Sequence, residues 1–123
     1  MGTIAGNRKA NHNSLLMEAY ASRRFSIKIS SSALVDSETH EIKSCQQWVV
    51  DRHAGQSRRR GRFWFFKKQH SEVKKKGAKY ILLVHENGTV VRSRILSPKT
   101  LETLYPVQKY DVIGVNWARL IPP

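Results

Sequence analysis

The chain has 123 residues, 40% hydrophobic and 25% charged, with 22 Lys plus Arg against 9 Asp plus Glu and a formal net charge of +13. That length makes one domain with its own core, and the balance excludes a disordered acidic tail or a coiled coil and points to a polyanionic partner. The single Cys45 excludes a disulfide framework and a Cys-based zinc cluster.

No apolar run approaches the ~20 residues of a membrane span, and no signal-peptide core opens the chain, so the expectation is a soluble cytoplasmic protein without a membrane partner. Residues 1–10 contain Gly2 and Gly6 and few apolar groups and read as a flexible tail, leaving 11–123 as the domain. Asn11 or Asn13 can cap a helix through Leu15, Leu16, Ala19 and Tyr20 that ends near Arg23 and Arg24. Phe25, Ile27 and Ile29 alternate with Ser26, Lys28 and Ser30 as in a strand, and Ala33-Leu34-Val35 continues it. Asp36 to Thr39 has turn chemistry, and His40 to Val50 reads as the return strand. Asp51 to Gly61 reads as a polar, Arg-rich loop.

Phe63 to Phe66 predicts a short aromatic strand, and Lys67 to Lys76 a basic helix stopped by Gly77. Lys79 to His85 is an almost continuous apolar strand, and Glu86-Asn87-Gly88 turns it into a second strand, Thr89 to Ile95. Ser97 and Pro98 open a helix running to about Leu104, and Asp111 to Val115 adds an edge strand. The order predicts a single α/β domain with a central mixed β-sheet flanked by helices.

The positive charge is concentrated. Between Arg52 and Lys79 stand 11 of the 22 basic residues and one acid, Glu72. Arg52, Arg58, Arg59, Arg60, Arg62, Lys67, Lys68, Lys74 and Lys75 are therefore the candidate phosphate contacts, because like charges repel at such density unless an anion neutralises them. A solvated loop followed by a polar helix face is the plainer reading of the same run. Next to Phe63, Trp64, Phe65 and Phe66 the Arg triplet favours nucleic acid; Trp48, Trp64 and Trp117 read as core or interface residues, with base stacking the alternative for Trp64.

Residues two apart on a strand share a face, so Glu41 and Lys43 project together while Ile42 points the other way. An ordinary surface ion pair has the same spacing. With the helix and apolar hairpin before it, and Gly61-Arg62-Phe63-Trp64-Phe65 and Tyr80-Ile81-Leu82-Leu83-Val84 after it, the segment resembles the PD-(D/E)XK nuclease superfamily. Within it the likeness is to small archaeal resolvases and restriction-endonuclease-like proteins, and it extends from about Asn11 to Leu104. The resemblance implies a restriction-endonuclease-like fold and a Mg²⁺- or Mn²⁺-dependent endonuclease acting on double-stranded or branched DNA. It implies Glu41 as a metal ligand and Lys43 as the residue that positions or activates the attacking water. The family's metal-binding Asp lies further upstream than any Asp here; Asp36, five residues before Glu41, is the candidate, with Glu18 and Ser32 as alternatives.

Two other functions fit the sequence: a DNA-binding module that keeps the scaffold without turnover, and a basic RNA-binding protein. Cutting both strands of a duplex requires two sites, which predicts a homodimer, with Trp117, Leu120 and Ile121 of the C-terminal segment as candidate interface residues. The same three residues can equally pack on their own core. His70 reads as a helix-surface residue next to Gln69, and His40 and His85 as strand-edge residues with no zinc spacing. Gln47 shares the parity of Lys43, and Ser30-Ser31-Ser32 lacks the context of a nucleophilic serine.

Overall fold

Tyr80 to Val84, the most apolar run of the sequence, forms the middle of the central sheet and is buried on both faces. The structure is a computed structural model that describes residues 17, 19–21, 23–24, 39–51, 55 and 57–122. In chain order the elements are β1 (His40–Gln46), β2 (Trp48–Asp51), β3 (Ser57–Arg60), β4 (Arg62–Phe66), α1 (Lys67–Lys76), β5 (Lys79–Glu86), β6 (Thr89–Leu96), α2 (Pro98–Leu104), a 3₁₀ turn (Val107–Lys109), β7 (Val112–Asn116) and α3 (Trp117–Leu120).

The central sheet has the order β1-β5-β6. Strand β1 runs parallel to β5, with Glu41 opposite Tyr80 and Lys43 opposite Leu82. Strand β6 returns antiparallel, through Asn87 and Gly88 at positive φ, as a tight hairpin turn requires. This is the mixed sheet expected from the order of elements.

The two sheet faces bury different partners. On one, Cys45, Tyr80, Leu82 and Val84 meet Phe63, Phe65, Val73, Leu101, Val115 and Trp117. On the other, Ile42, Ile81 and Leu83 meet Met17 and Ala21, and residues 17, 19–21, 23 and 24 are helical. Thus β4, α1, α2, β7 and α3 cover the face that carries Glu41 and Lys43. The expected strands around Phe25–Ile29 and Ala33–Val35, and the site candidates Glu18, Ser32, Asp36 and Arg52, lie outside the described residues.

Three expectations are corrected. The return strand does not continue to Val50: it bends at Gln47, whose N–H donates to the His85 carbonyl at 2.8 Å, and restarts as β2. The Arg-rich stretch is not all loop, because Ser57–Arg60 is a strand paired antiparallel to β2, with Trp48 opposite Arg60. And Trp117, Leu120 and Ile121 are buried in the main core, so they are not free to form a subunit interface. Their apolar signal came from packing within the chain: the Trp117 Nε1–H donates to the Gln47 carbonyl at 2.9 Å.

His85, at the end of β5, is buried and its Nδ1 has no hydrogen-bond partner. Burial lowers its pKa from the ordinary 6.5. The folded chain therefore favours neutral imidazole: this stabilisation is complete above about pH 6.5 and is lost as pH falls toward the folded value. His40 shifts the same way, through burial and the nearby Lys79. Denaturant midpoints should fall between about pH 7.5 and 5, and His85→Leu should flatten that decline without abolishing it; an unchanged pH slope in the variant would dismiss the assignment.

Candidate active site and nucleic-acid face

Alternation along β1 sends Glu41, Lys43 and Cys45 to the face beneath α1 and β4. Glu41 is 2% exposed, which is rare for a carboxylate, and its Oε1 lies 4.0 Å from the Lys43 ammonium. The Lys43 side chain is only 11% exposed. Its Nζ donates to Oε1 of Gln69 in the first turn of α1 and sits 5.2 Å from the centroid of the Phe66 ring. The expected pairing of Glu41 and Lys43 on one face is present, inside the protein and not on a solvated strand.

A second buried network lies behind it. His70, expected on the helix surface, is 3% exposed. Its Nδ1 meets the Tyr80 hydroxyl at 2.7 Å and its Nε2 meets Oε2 of Glu102 at 2.7 Å, with the Lys74 ammonium 2.9 Å from the same oxygen. Burial, reinforced by the negative charges of Glu41 and Glu102, pushes the Tyr80 hydroxyl well above its ordinary range. Burial also pushes the Glu102 carboxyl up, but hydrogen bonds from His70 and Lys74 outweigh it and hold the group below 4.5. The network ties α1 to β5 and α2, and α1 in turn presents Gln69 to Lys43. Cys45, next on the same strand face, has its thiol pushed up to about 12 by burial, so it is an inert packing group.

Gln69 and Glu102 were not legible as site residues. Gln69 is 26 positions from Lys43, and Glu102 is 32 from His70. No local spacing signals such contacts; only the packing of α1 on the sheet creates them.

The arginine cluster is divided by strand geometry. Arg58 and Arg60 share the Trp48 face of the β2–β3 ribbon, while Arg59 shares the Val49 face. On the first face, guanidinium and indole groups alternate: Arg58 and Arg60 lie 5.5 and 5.4 Å from the Trp48 ring, and Arg60 and Arg92 lie 5.4 and 5.3 Å from the Trp117 ring. Such contacts hold a cation in place at a gain of about 0.5–1 kcal/mol each. The Nε atoms of Arg60 and Arg92 are buried without hydrogen-bond partners, whereas Arg58 is 3.7 Å from Glu86. On the second face, Ser44, Gln46, Val49, Arg59, Arg62 and Trp64 line a cleft of about 200 Å³. Arg92 is a basic contributor the sequence did not mark. Lys67, Lys68 and Lys75 are exposed on α1, and Lys74 is partly engaged by Glu102.

Among the described residues no helix is long and apolar enough to cross a membrane. No curated protein and no solved structure matches the chain. The family model of the PD-(D/E)XK nuclease superfamily domain matches residues 5–118, which include the buried Glu41–Lys43 pair, the sheet that carries it and the helix that braces it. On that match, and in agreement with the mixed sheet and flanking helices, the chain belongs to the PD-(D/E)XK nuclease superfamily.

Proposed function

We propose that the chain is a divalent-metal-dependent DNA endonuclease in which Glu41 is a metal ligand and Lys43 the catalytic lysine. One observation carries the reading: a carboxylate 2% exposed stands beside an ammonium that is itself clasped by Gln69. Taking both charges out of water costs more than their attraction reliably returns, so folding alone gives little reason to keep them there. Hydrolysis of a phosphodiester gives a reason.

Superfamily members generally use divalent metals. The donor chemistry fits in kind, because the hard carboxylate oxygens of Glu41 suit Mg²⁺ or Mn²⁺. Among the described residues no three His, Cys, Asp or Glu side chains form a set, so Glu41 requires a further ligand. Asp36 is the proposed one, with Glu18 and Ser32 as alternatives. When bound, such a cation supplies a Lewis acid at the scissile phosphate. Lys43 contributes a fixed positive charge where the phosphoryl oxygens gain negative charge, and an N–H donor for the attacking water. Gln69 accepts a hydrogen bond from Lys43, and the His70–Tyr80–Glu102 network anchors the helix that carries Gln69.

DNA is the proposed substrate, held electrostatically by Arg59, Arg60, Arg62 and Arg92, with Arg52, Arg58, Lys67, Lys68, Lys74 and Lys75 as further contacts. Affinity should fall steeply with salt, with a log–log slope of about −0.9 per phosphate contact. Arg59→Ala, Arg62→Ala and Arg58→Ala should each make the slope shallower, by up to about one unit, since the exposed contact of Arg58 with Glu86 at 3.7 Å is weak in water. Fluorescence anisotropy across a NaCl series measures this, and a flat titration of the wild type would rule out phosphate-driven binding.

The decisive experiment is cleavage of supercoiled plasmid and four-way junction DNA with Mg²⁺ or Mn²⁺ against EDTA. Metal-dependent cutting supports the proposal. Tight, metal-independent binding with no cutting under any condition replaces it with a DNA-binding module. A homodimer is part of the proposal, and it predicts linear plasmid without a long-lived nicked intermediate. Its interface must use side chains other than Trp117, Leu120 and Ile121.

A further inference from the structure

Alternation along β4 buries Phe63 and Phe65 and turns Arg62, Trp64 and Phe66 outward. Two large rings are thereby left at the surface, Trp64 at 51% and Phe66 at 48% exposure. Trp64 stands opposite Gly114 of β7, and its six-membered ring comes within 3.0–3.1 Å of where a Gly114 Cβ would sit. With glycine there, the indole lies close over the β7 backbone; a Cβ at 114 would press on it and shift it by a few tenths of an ångström. The ring is thus backed on one side and open on the other.

The same indole forms a wall of the cleft that also holds Arg59 and Arg62. Phe66, two residues further and therefore about 6.8 Å along the strand, is the ring that lies 5.2 Å from the Lys43 ammonium. The strip begins at Lys43, continues through Phe66 and Trp64, and ends at Arg62 and Arg59. Among the described residues no ion pair engages Arg62. Open rings bordered by cations match a strand whose bases are unpaired and whose phosphates are charged. A duplex hides its base faces, whereas every unpaired base offers one.

We propose that this strip is a track for single-stranded nucleic acid: unpaired bases stack on Phe66 and Trp64, phosphates meet Arg59 and Arg62, and the strand is led to Glu41 and Lys43. The inference rests on the nuclease reading above and gives its substrate class, DNA with an unpaired segment beside the scissile bond.

Binding is measured in EDTA, so that cleavage plays no part, by anisotropy of a labelled dT oligomer and of a duplex of equal length. The expected result is that Trp64→Ala and Phe66→Ala each weaken single-strand binding about five- to hundredfold, the range of one base–aromatic stack, and leave duplex binding nearly unchanged. Trp64→Phe should restore most of the affinity, which a general loss of fold would not allow. Equal single-strand affinity in wild type, Trp64→Ala and Phe66→Ala would overturn the track. So would a dimer that Trp64→Ala converts to a monomer with no change in single-strand affinity, since a second copy would then be the occupant. If the track fails while Glu41→Gln still abolishes metal-dependent cutting, the nuclease reading stands without it. If wild-type protein binds the oligomer through these rings but never cuts, the track stands and the nuclease reading falls.

Discussion

Glu41→Gln should reduce DNA cleavage by about a hundredfold or more, the scale seen when one electrostatic group leaves a preorganised site, while DNA affinity stays within a few-fold of wild type. The substitution keeps the shape of a side chain that is 3% exposed and removes only its charge. It changes neither Arg59, Arg62 nor the Arg60–Trp117–Arg92 stack, so phosphate contacts persist. Lys43→Ala should cause a comparable loss by deleting the ammonium 4.0 Å away. It removes the ammonium nearest the buried Glu41, just as Glu41→Gln removes the carboxylate charge nearest the buried Lys43, so some loss of stability is expected in both variants. Measuring turnover and denaturant midpoint for both variants separates the two effects. Full activity in Glu41→Gln would remove Glu41 from the site. Asp36→Asn and Glu18→Gln, assayed alongside, identify the further ligand by loss of cutting at unchanged affinity.

The largest structural effect is expected at a residue with no side chain. Gly61→Ala should destabilise the fold by about 4 kcal/mol or more, the range reserved for a named structural conflict. A Cβ at position 61 would stand 2.0 Å from the Gln46 carbonyl oxygen and 3.1 Å from its carbon, both backbone atoms that no rotamer can move. The close approach is anchored on both sides: the Gly61 N–H donates to the Gln47 carbonyl at 3.4 Å, and the Trp117 N–H donates to the Gly61 carbonyl at 3.1 Å. Gly77→Ala is the control. It places a side chain at φ 67 but meets nothing within 4 Å, so only the left-handed backbone is penalised, at about 1–2 kcal/mol. Urea denaturation of both variants tests the contrast, and an effect of Gly61→Ala no larger than that of Gly77→Ala would refute the crowding. Against a typical total stability of about 5–15 kcal/mol, such a loss removes between roughly a quarter and four fifths of the folding free energy.

Periodicity, caps and charge arithmetic determined much of this protein by themselves. The α1 helix and its Gly77 stop, the Asn87-Gly88 hairpin and the Ser97-Pro98 helix start agree with the sequence because each is set by local sterics and hydrogen bonding. Glu41 and Lys43 share a face because strand alternation leaves no choice. Tertiary structure alone decided the rest. Arg58 to Arg60 look like a loop locally, yet pairing with Trp48 to Asp51 makes them a strand and divides the charges between two faces. His70 and Trp117 have the composition of a helix surface and a sticky tail, but Tyr80, Glu102 and Gln47, distant in sequence, supply the hydrogen bonds that allow both to be buried. Gln69 reaches Lys43 only because α1 packs across the sheet. Local chemistry dictates which backbone shapes are cheap, whereas contacts between residues tens of positions apart depend on how those shapes are packed, and no spacing within a segment records that.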